Sequence, residues 1–242
     1  MKKEKSLLTI GEAAEFLKVS IDTLRRWDLV GKLKAIKSLG GHRYYSKEQL
    51  EMFVLNLNAI ARVWAESEIA PELSSDYYCG TQDIFKARLD KLAVFLDNDL
   101  NTNKIAPLVV AITGEIGNNS FDHNLGNWPD VLGIFFAYDL GKRLIILADR
   151  GLGIHATLLR VRPNIKDDLM ALTVAFTERV SGRAPEQRGN GLKFVKNVAI
   201  QNPISVSLQS GIAVAEIAKQ NGALKIHLAD RNIRGTLAII NY

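Results

Sequence analysis

An acid, an amide and an imidazole recur at every fourth residue in a stretch that begins with the apolar run Ile105–Ile112, and this row constrains the fold more than any other feature of the chain. They are Glu115, Asn119 and His123, within Lys104–Leu125. An α-helix turns 100° per residue, so steps of four keep all three on one face. Burying an acid, an amide and an imidazole is costly unless each has a partner. The stretch is therefore predicted to be a buried helix whose polar face lines a site.

Two glycine-containing segments follow this row. Asp149-Arg150-Gly151-Leu152-Gly153 comes after two apolar runs, Val131–Tyr138 and Arg143–Ala148, which are predicted to form an antiparallel hairpin. Arg188-Gly189-Asn190-Gly191-Leu192 precedes a predicted helix over Leu192–Ile200. Glycines at a helix start leave backbone N–H groups free to hold phosphate. Each segment alone is weak, since Asp-x-Gly turns commonly end strands and glycine-rich helix starts are ordinary.

In this order the three segments resemble the N, G1 and G2 boxes of the GHKL ATPases, the fold of histidine-kinase catalytic domains, anti-sigma-factor kinases and gyrase B. The resemblance implies ATP and Mg²⁺ as cofactors. It implies that Glu115 orients or deprotonates the attacking water or hydroxyl, that Asn119 holds Mg²⁺ and that His123 lies near the phosphates. It also implies an ATP lid over Ile154–Gln187.

The same resemblance assigns the base and the phosphate contacts. Asp149 would accept a hydrogen bond from the adenine amino group, with Gly151 and Gly153 allowing close approach of the backbone. The remaining cofactor contacts would be Gly189, Gly191, Leu192 and Thr236.

The start of the chain carries a second pattern. Thr9 with Glu12 and then Ser20 are capping signals, and they predict helices over Ile10–Leu17 and Ile21–Leu29. Two extended runs around Gly40-Gly41 then predict a hairpin wing, and a further helix is predicted from Lys47 to Leu57.

This order resembles the winged helix-turn-helix of the MerR/excisionase type, carried by Ile10-Gly11-Glu12-Ala13-Ala14, Thr23-Leu24-Arg25-Arg26-Trp27, Gly31-Lys32-Leu33 and Gly40-Gly41-His42-Arg43-Tyr44. The resemblance implies double-stranded DNA as a partner. It places Asp22, Thr23, Arg25 and Arg26 on or near the reading helix, and His42, Arg43 and Tyr44 on the wing. Leu24 and Trp27, three residues apart, are expected in the core. Members of that family bind paired half-sites as dimers, so a homodimer is expected, although Met52–Ile69 shows no sustained heptads.

The predicted fold class is α+β. A winged helix-turn-helix over residues 1–58 is followed by a helical linker over 59–98, which is also a candidate dimerisation region. An α/β sandwich of the GHKL (Bergerat) type is predicted over 99–242, with helices on one face of a mixed sheet.

Charge and composition agree with these assignments. The net charge is +5, and residues 1–55 carry 11 Lys or Arg against 7 Asp or Glu, which favours a polyanion partner for the N-terminal part. A single cysteine, Cys79, excludes an internal disulfide, and a reducing cytoplasm is the expected compartment. No apolar run approaches the ~20 residues of a membrane helix, so no membrane association is expected.

Two functional classes remain open at this point, beside a third reading in which the nucleotide site is degenerate and the domain only mediates protein contacts. The first is a DNA-binding transcriptional regulator of the bacterial kind, switched by ATP/Mg²⁺ binding with or without slow hydrolysis. The second is a protein Ser/Thr kinase of the anti-sigma-factor type tethered to DNA, which would require a protein partner. Histidine autokinase activity is not expected, since no histidine lies between His42 in the wing and His123.

Overall fold

The chain has a mixed α+β architecture in two units. The computed structural model describes residues 7–17, 20–29, 33–47, 49–50, 57–179, 191–219 and 222–242. The units are Met1–Ile60, which has a helix-turn-helix, and Ala61–Tyr242, which contains a large antiparallel sheet. Among the described residues, no helix is both long enough and apolar enough to cross a membrane.

Up to Ser46, the described part of the first unit has two helices and a small sheet, in the chain order β1, α1, α2, β2, β3. Their bounds are Leu7–Thr9, Ile10–Leu17, Ile21–Leu29, Ile36–Lys37 and Arg43–Ser46. Both predicted helices are confirmed. Strands β2 and β3 pair antiparallel as the predicted wing, and β1 pairs with the other edge of β3. The sequence pattern does not predict β1, because three residues are too few to show a period of two.

Side-chain caps fix where the two helices begin. The N–H of Thr9 donates to Oε2 of Glu12 at 2.7 Å, and the N–H of Glu12 donates back to Oγ1 of Thr9 at 3.3 Å. Oγ of Ser20 accepts the N–H of Thr23 at 3.1 Å. Each bond satisfies a backbone donor that the first turn of a helix leaves unpaired.

A compact apolar cluster holds the first unit together. Its buried members are Ala13, Ala14, Leu24, Leu33, Tyr45 and Leu50. Trp27 is half-buried against this cluster, so Leu24 and Trp27 are core residues as expected. The predicted helix from Lys47 to Leu57 lies largely outside the described residues, and only its capping bond from Gln49 N–H to Ser46 Oγ, at 3.0 Å, is seen.

The helices of the second unit fall in two groups along the chain, one before and one after a pair of six-residue strands. Helix α3 crosses the unit boundary, and the remaining helices α4 to α8 belong to the second unit. The helices α3 to α8 span Leu57–Glu66, Gln82–Asn98, Ala106–Asn124, Gly153–Leu159, Asp168–Thr177 and Gly191–Gln201. The strands β4 to β10 span Tyr78–Cys79, Ile134–Asp139, Leu144–Asp149, Ser205–Ser210, Ala213–Ile217, Leu224–Leu228 and Thr236–Asn241.

The seven strands form one sheet in the order β4-β5-β6-β10-β7-β8-β9. The predicted hairpin is confirmed, with Ile134 opposite Asp149 in the β5–β6 register. The expectation of a mixed sheet is wrong, because every neighbouring pair of strands is antiparallel. Strand β10 inserts between β6 and β7, and so joins the β5–β6 hairpin to the β7–β8 hairpin.

One face of this sheet carries the main core. Alternate residues such as Phe136, Leu147 and Ala238 share a buried cluster with side chains from α4, α5, α7 and α8. The layering agrees with the predicted α+β class, and residues of the opposite face, such as Phe135, Ile146 and Leu237, are buried as well.

Helix α4 is part of this core. It lies within the predicted helical linker over residues 59–98, and its residues Phe85, Leu89, Leu92 and Leu96 are buried in the cluster of the second unit. Oγ1 of Thr81 caps the helix by accepting the N–H of Ile84 at 3.4 Å. The segment before the polar row therefore contributes to the fold of the second unit.

The first half of the expected ATP lid is folded. Helix α7 buries Leu172 and Phe176 in the main core, and α6 packs on α7 through a smaller cluster that includes Leu158 and Ile165. The sequence pattern predicts α7 but not α6. Residues 180–190, which complete the expected lid and include Gly189, lie outside the described residues.

Glycine at position 117 is required where α5 packs on α4. A Cβ there would lie 2.1 Å from Cζ of Phe85, whereas a Cβ at Gly114 would meet only Cδ2 of Leu89, at 3.2 Å. We expect Gly117→Ala to lower the free energy of unfolding by about 1–3 kcal/mol through overpacking. Gly114→Ala is the matched control and should stay within about 1 kcal/mol of wild type, because alanine favours the helix. Urea denaturation followed by circular dichroism checks this, and equal midpoints for the two variants would contradict it.

Candidate functional site

The solvent face of α2 carries the charged residues expected to contact DNA. Asp22 and Arg25 are exposed and form an ion pair of 3.0 Å, and Arg26 is exposed beside them. Thr23 is half-buried, and its Oγ1 lies 2.9 Å from Oγ of Ser20 within the helix cap. Both arginines are therefore on the solvent-exposed face, Arg25 in an ion pair with Asp22, whereas Thr23 also serves the cap.

The wing is a two-stranded hairpin closed by a tight turn. The N–H of Ser38 donates to the carbonyl of His42 at 3.0 Å, and Gly41 adopts a φ of 78°, a conformation that favours glycine. His42 is exposed at the turn. Tyr44 is half-buried on β3, opposite Thr9 on one side and Ile36 on the other.

Asp28 on α2 connects this helix to the wing. Its Oδ2 accepts from Nε of Arg43 at 2.7 Å and lies 3.2 Å from Nζ of Lys37, while Oδ1 accepts the N–H of Ala35 at 3.1 Å. The hydrogen bond from Arg43, followed by those from Ala35 and Lys37, lowers the pKa of Asp28 to about 2 despite its burial. Arg43, expected to contact DNA, is thus also a structural residue of the wing.

The polar row of the second unit lies on α5 as predicted. Nδ2 of Asn119 donates to Oε1 of Glu115 at 3.0 Å, and His123 follows on the last turn of the helix. Asn118 is engaged elsewhere, since its Oδ1 accepts from Nε2 of Gln82 on α4 at 3.1 Å. The amide in register with Glu115 is therefore Asn119.

The start of α8 packs directly on this row. A Cβ at Gly191 would lie 1.8 Å from Oε1 of Glu115 and 3.2 Å from Nδ2 of Asn119. Only glycine allows the backbone so close to the carboxylate. Leu192 is partly buried against the main core, so its side chain supports the helix.

Asp149 is a buried carboxylate at the end of β6, with 1% of its surface exposed. Oδ2 accepts from Oγ of Ser120 at 2.8 Å and from Oγ1 of Thr236 at 2.5 Å. Oδ1 accepts the N–H of Gly151 at 2.8 Å. Burial raises the pKa of Asp149, and the bonds from Thr236, Ser120 and Gly151 oppose this shift.

Glycines surround Asp149 for steric reasons. A Cβ at Gly235, which adopts a φ of 62°, would lie 2.2 Å from Oδ1 of Asp149. A Cβ at Gly151 would fall 2.1 Å from Nδ2 of Asn124. Gly153 begins α6 with a φ of 77°. Each glycine lets backbone approach where a larger residue would push the carboxylate segment away.

Ser120 and Asn124 also belong to the candidate site, although the sequence patterns do not single them out. Oδ1 of Asn124 accepts the N–H of Leu152 at 2.8 Å, so α5 holds both ends of the Asp149 segment. The available signal was their spacing of four, adjacent to the row of Glu115, Asn119 and His123. Buried polar residues on a neighbouring row of the same helix need partners as much as those of the first row.

The buried Asp28 predicts a pH-dependent stability of the first unit. Its folded-state pKa of about 2 lies below the ordinary value of 3.8, so the ionised carboxylate stabilises the fold above about pH 4. That contribution is lost as the pH falls through about 2. We expect Asp28→Asn to lower the free energy of unfolding at pH 7 by about 1–3 kcal/mol, and by less at pH 3.

Urea denaturation at the two pH values measures this difference. The control is Asp22→Asn on the same helix, an exposed carboxylate whose removal should change stability by less than about 0.5 kcal/mol. An Asp28→Asn effect as large at pH 3 as at pH 7 would contradict the assigned charge.

Comparison with known proteins finds a family match for the helix-turn-helix and wing of the first unit. Residues 9–45 match the family model described as MerR family regulatory protein. The match spans α1, α2 and the wing. No curated protein matches the chain. The chain therefore carries a MerR-type helix-turn-helix, and this domain supports a DNA-binding transcriptional regulator.

Proposed function

We propose that this protein is a DNA-binding transcriptional regulator whose affinity for DNA is switched when Mg²⁺-ATP binds the second unit. The observation that carries the nucleotide half of the proposal is the environment of Asp149. Ser120, Gly151 and Thr236 donate to both oxygens of this buried carboxylate, with the backbone N–H of Thr236 adding to its hydroxyl, and no cation is bonded to it among the described residues. A carboxylate surrounded by neutral donors suits the neutral amino group of adenine, which would replace or share one of these hydrogen bonds.

The phosphate end of the proposed site is the contact between α5 and α8. Gly191 brings the N-terminus of α8 against Glu115 and Asn119, and a helix N-terminus favours an anion. Nδ2 of Asn119 donates to Glu115, so Oδ1 is the atom of the amide available to a hard cation. His123 on the last turn of α5 and Thr236 at the start of β10 complete the proposed contacts.

The donor set fits a nucleotide-bound Mg²⁺ better than an independent metal centre. Among the described residues, no group of three or more His, Cys, Asp or Glu side chains is arranged to hold a metal. Mg²⁺ commonly takes one or two protein ligands, nucleotide phosphates and water. Asn119 would then be the protein ligand, and the phosphates would provide the charge.

The proposed switch is differential binding. Nucleotide that binds one conformation of the second unit more tightly than another shifts the population between them, and with it the affinity for DNA. Hydrolysis, or transfer to a protein Ser/Thr as in the anti-sigma kinases, would use the same groups, with Glu115 orienting the attacking hydroxyl. Dimerisation on paired half-sites remains part of the proposal for the MerR-type domain.

Removing the Asp149 carboxylate tests the nucleotide site. We expect Asp149→Asn to weaken Mg²⁺-ATP binding roughly 10- to 100-fold, the loss of one hydrogen bond to a charged acceptor. Isothermal titration calorimetry measures the affinity, and an assay of the final sample for ADP reports hydrolysis. The control is Asp139→Asn on the neighbouring strand, where the carboxylate pairs with Lys142 at 3.4 Å. Unchanged affinity in Asp149→Asn would refute the site.

Removing two cations from α2 tests the DNA surface. We expect Arg25→Ala with Arg26→Ala to weaken binding to a duplex selected by the wild-type protein at least tenfold. The slope of log K against log salt concentration should fall by about 1 to 2. The control is Arg160→Ala with Lys166→Ala, which removes two exposed cations from the second unit. Fluorescence anisotropy at several salt concentrations checks this, and equal losses in both double variants would contradict a specific role for α2.

A further inference from the structure

Arg150, the residue after Asp149, is buried and directed at helix α3. Its side chain has no exposed surface. Nε donates to Oδ2 of Asp130 at 2.7 Å, a second guanidinium nitrogen also contacts that carboxylate, and Cζ lies 5.9 Å from the ring centroid of Trp64. An arginine buried this completely is paired and hydrogen-bonded on every side, so its position is fixed by several partners at once.

The same guanidinium caps the end of α3. It donates to the carbonyl of Trp64 and, at 3.2 Å, to the carbonyl of Glu68. The N–H of Arg234 donates to the next carbonyl, that of Ala65, at 3.1 Å. The last carbonyls of a helix lack partners within the helix, and a cation there is favoured by the helix dipole. The end of α3 is thus fastened by two segments distant in sequence.

Both fastening segments also surround the Asp149 carboxylate. Arg150 follows Asp149 directly, and Arg234 precedes Gly235 and Thr236, which contact that carboxylate. Strands β6 and β10 are neighbours in the sheet, with Leu237 opposite Ala148. At the ends of these two strands, hydrogen-bonding groups therefore surround the Asp149 carboxylate. One residue further along the chain, Arg150 and Arg234 donate to carbonyls at the end of α3.

We propose that Arg150 is a positioning residue that couples the occupancy of the Asp149 site to the last turn of α3. This rests on the proposed function, since it takes adenine nucleotide as the ligand that orders the Asp149 segment. The boundary between the two units falls within α3, so the first turn of this helix belongs to the unit that contains the MerR-type domain and the last turn belongs to the second unit. Bound nucleotide stabilises the Asp149–Leu152 backbone, and Arg150 passes that stabilisation to the carbonyls of the helix end.

Hydrogen exchange of the full chain, measured by mass spectrometry with and without saturating Mg²⁺-ADP, tests the coupling. In wild type we expect ADP to slow exchange in peptides covering residues 149–152 and also in peptides covering residues 61–70, the latter by at least fivefold. In Arg150→Lys, which cannot reach Asp130 and both carbonyls together, ADP should still protect residues 149–152. Protection of residues 61–70 should fall to less than twofold.

Arg231→Met is the matched control. The Arg231 side chain is 78% exposed, and its Nη1 lies 3.4 Å from Oε2 of Glu66. It therefore contacts the same helix end but does not adjoin the Asp149 segment. A merely structural role for Arg150 predicts faster exchange of residues 61–70 in both variants, with the protection due to ADP retained. Coupling predicts that this protection disappears in Arg150→Lys alone.

The outcomes separate the two proposals. Absence of ADP binding to wild type in calorimetry would refute the nucleotide site itself. Binding that protects residues 149–152 but not 61–70 in wild type, or that protects both equally in Arg150→Lys, would overturn the coupling and leave the site standing.

Should Arg150→Lys fail to fold, Asp130→Asn is the second variant, because it weakens the anchor of Arg150 while keeping its bonds to the carbonyls. Reduced protection of residues 61–70 in that variant supports the coupling, and undiminished protection overturns it.

Discussion

The second unit is organised around a buried carboxylate. Asp149 has no cation bonded to it among the described residues, and its charge is met by hydroxyl and amide donors from α5, from its own turn and from β10. Withdrawing a carboxylate from water is costly, so these three segments must stay in register for the unit to fold. The glycines at 151 and 235 follow from the same requirement, because any side chain there would displace a donor or the carboxylate.

A buried acid organises the first unit in a different way. Asp28 is paired with Arg43 and Lys37, and it also accepts a backbone N–H, so one carboxylate joins the reading helix, the following loop and the wing. Here the partners are cations, and the pKa falls; around Asp149 the donors are neutral, burial dominates, and the pKa rises. The first arrangement links α2 to the wing through charge pairs, and the second joins three segments of the second unit through neutral donors.

Local sequence patterns predict much of the architecture. The caps at Thr9 and Ser20 predict α1 and α2 within the observed bounds, and the polar row predicts α5. Two successive apolar runs predict the β5–β6 hairpin. Local patterns fail where the deciding contact is distant in sequence. The burial of α4 in the main core, the insertion of β10 between β6 and β7 and the packing of α7 on the sheet all depend on such contacts.

The candidate site divides along the same line. The sequence by itself determined the helix-turn-helix through its caps and turn glycines, and its spacing and turn patterns singled out Glu115, Asn119 and Asp149 as candidate site residues. The tertiary structure alone decided that Ser120 and Thr236 share one oxygen of Asp149, that Gly191 lies against Glu115 and that Arg150 turns away to the end of α3. The physical reason is that periodicity and capping act over a few residues, whereas a buried charge is satisfied by whichever donors the packing of the whole sheet brings to it.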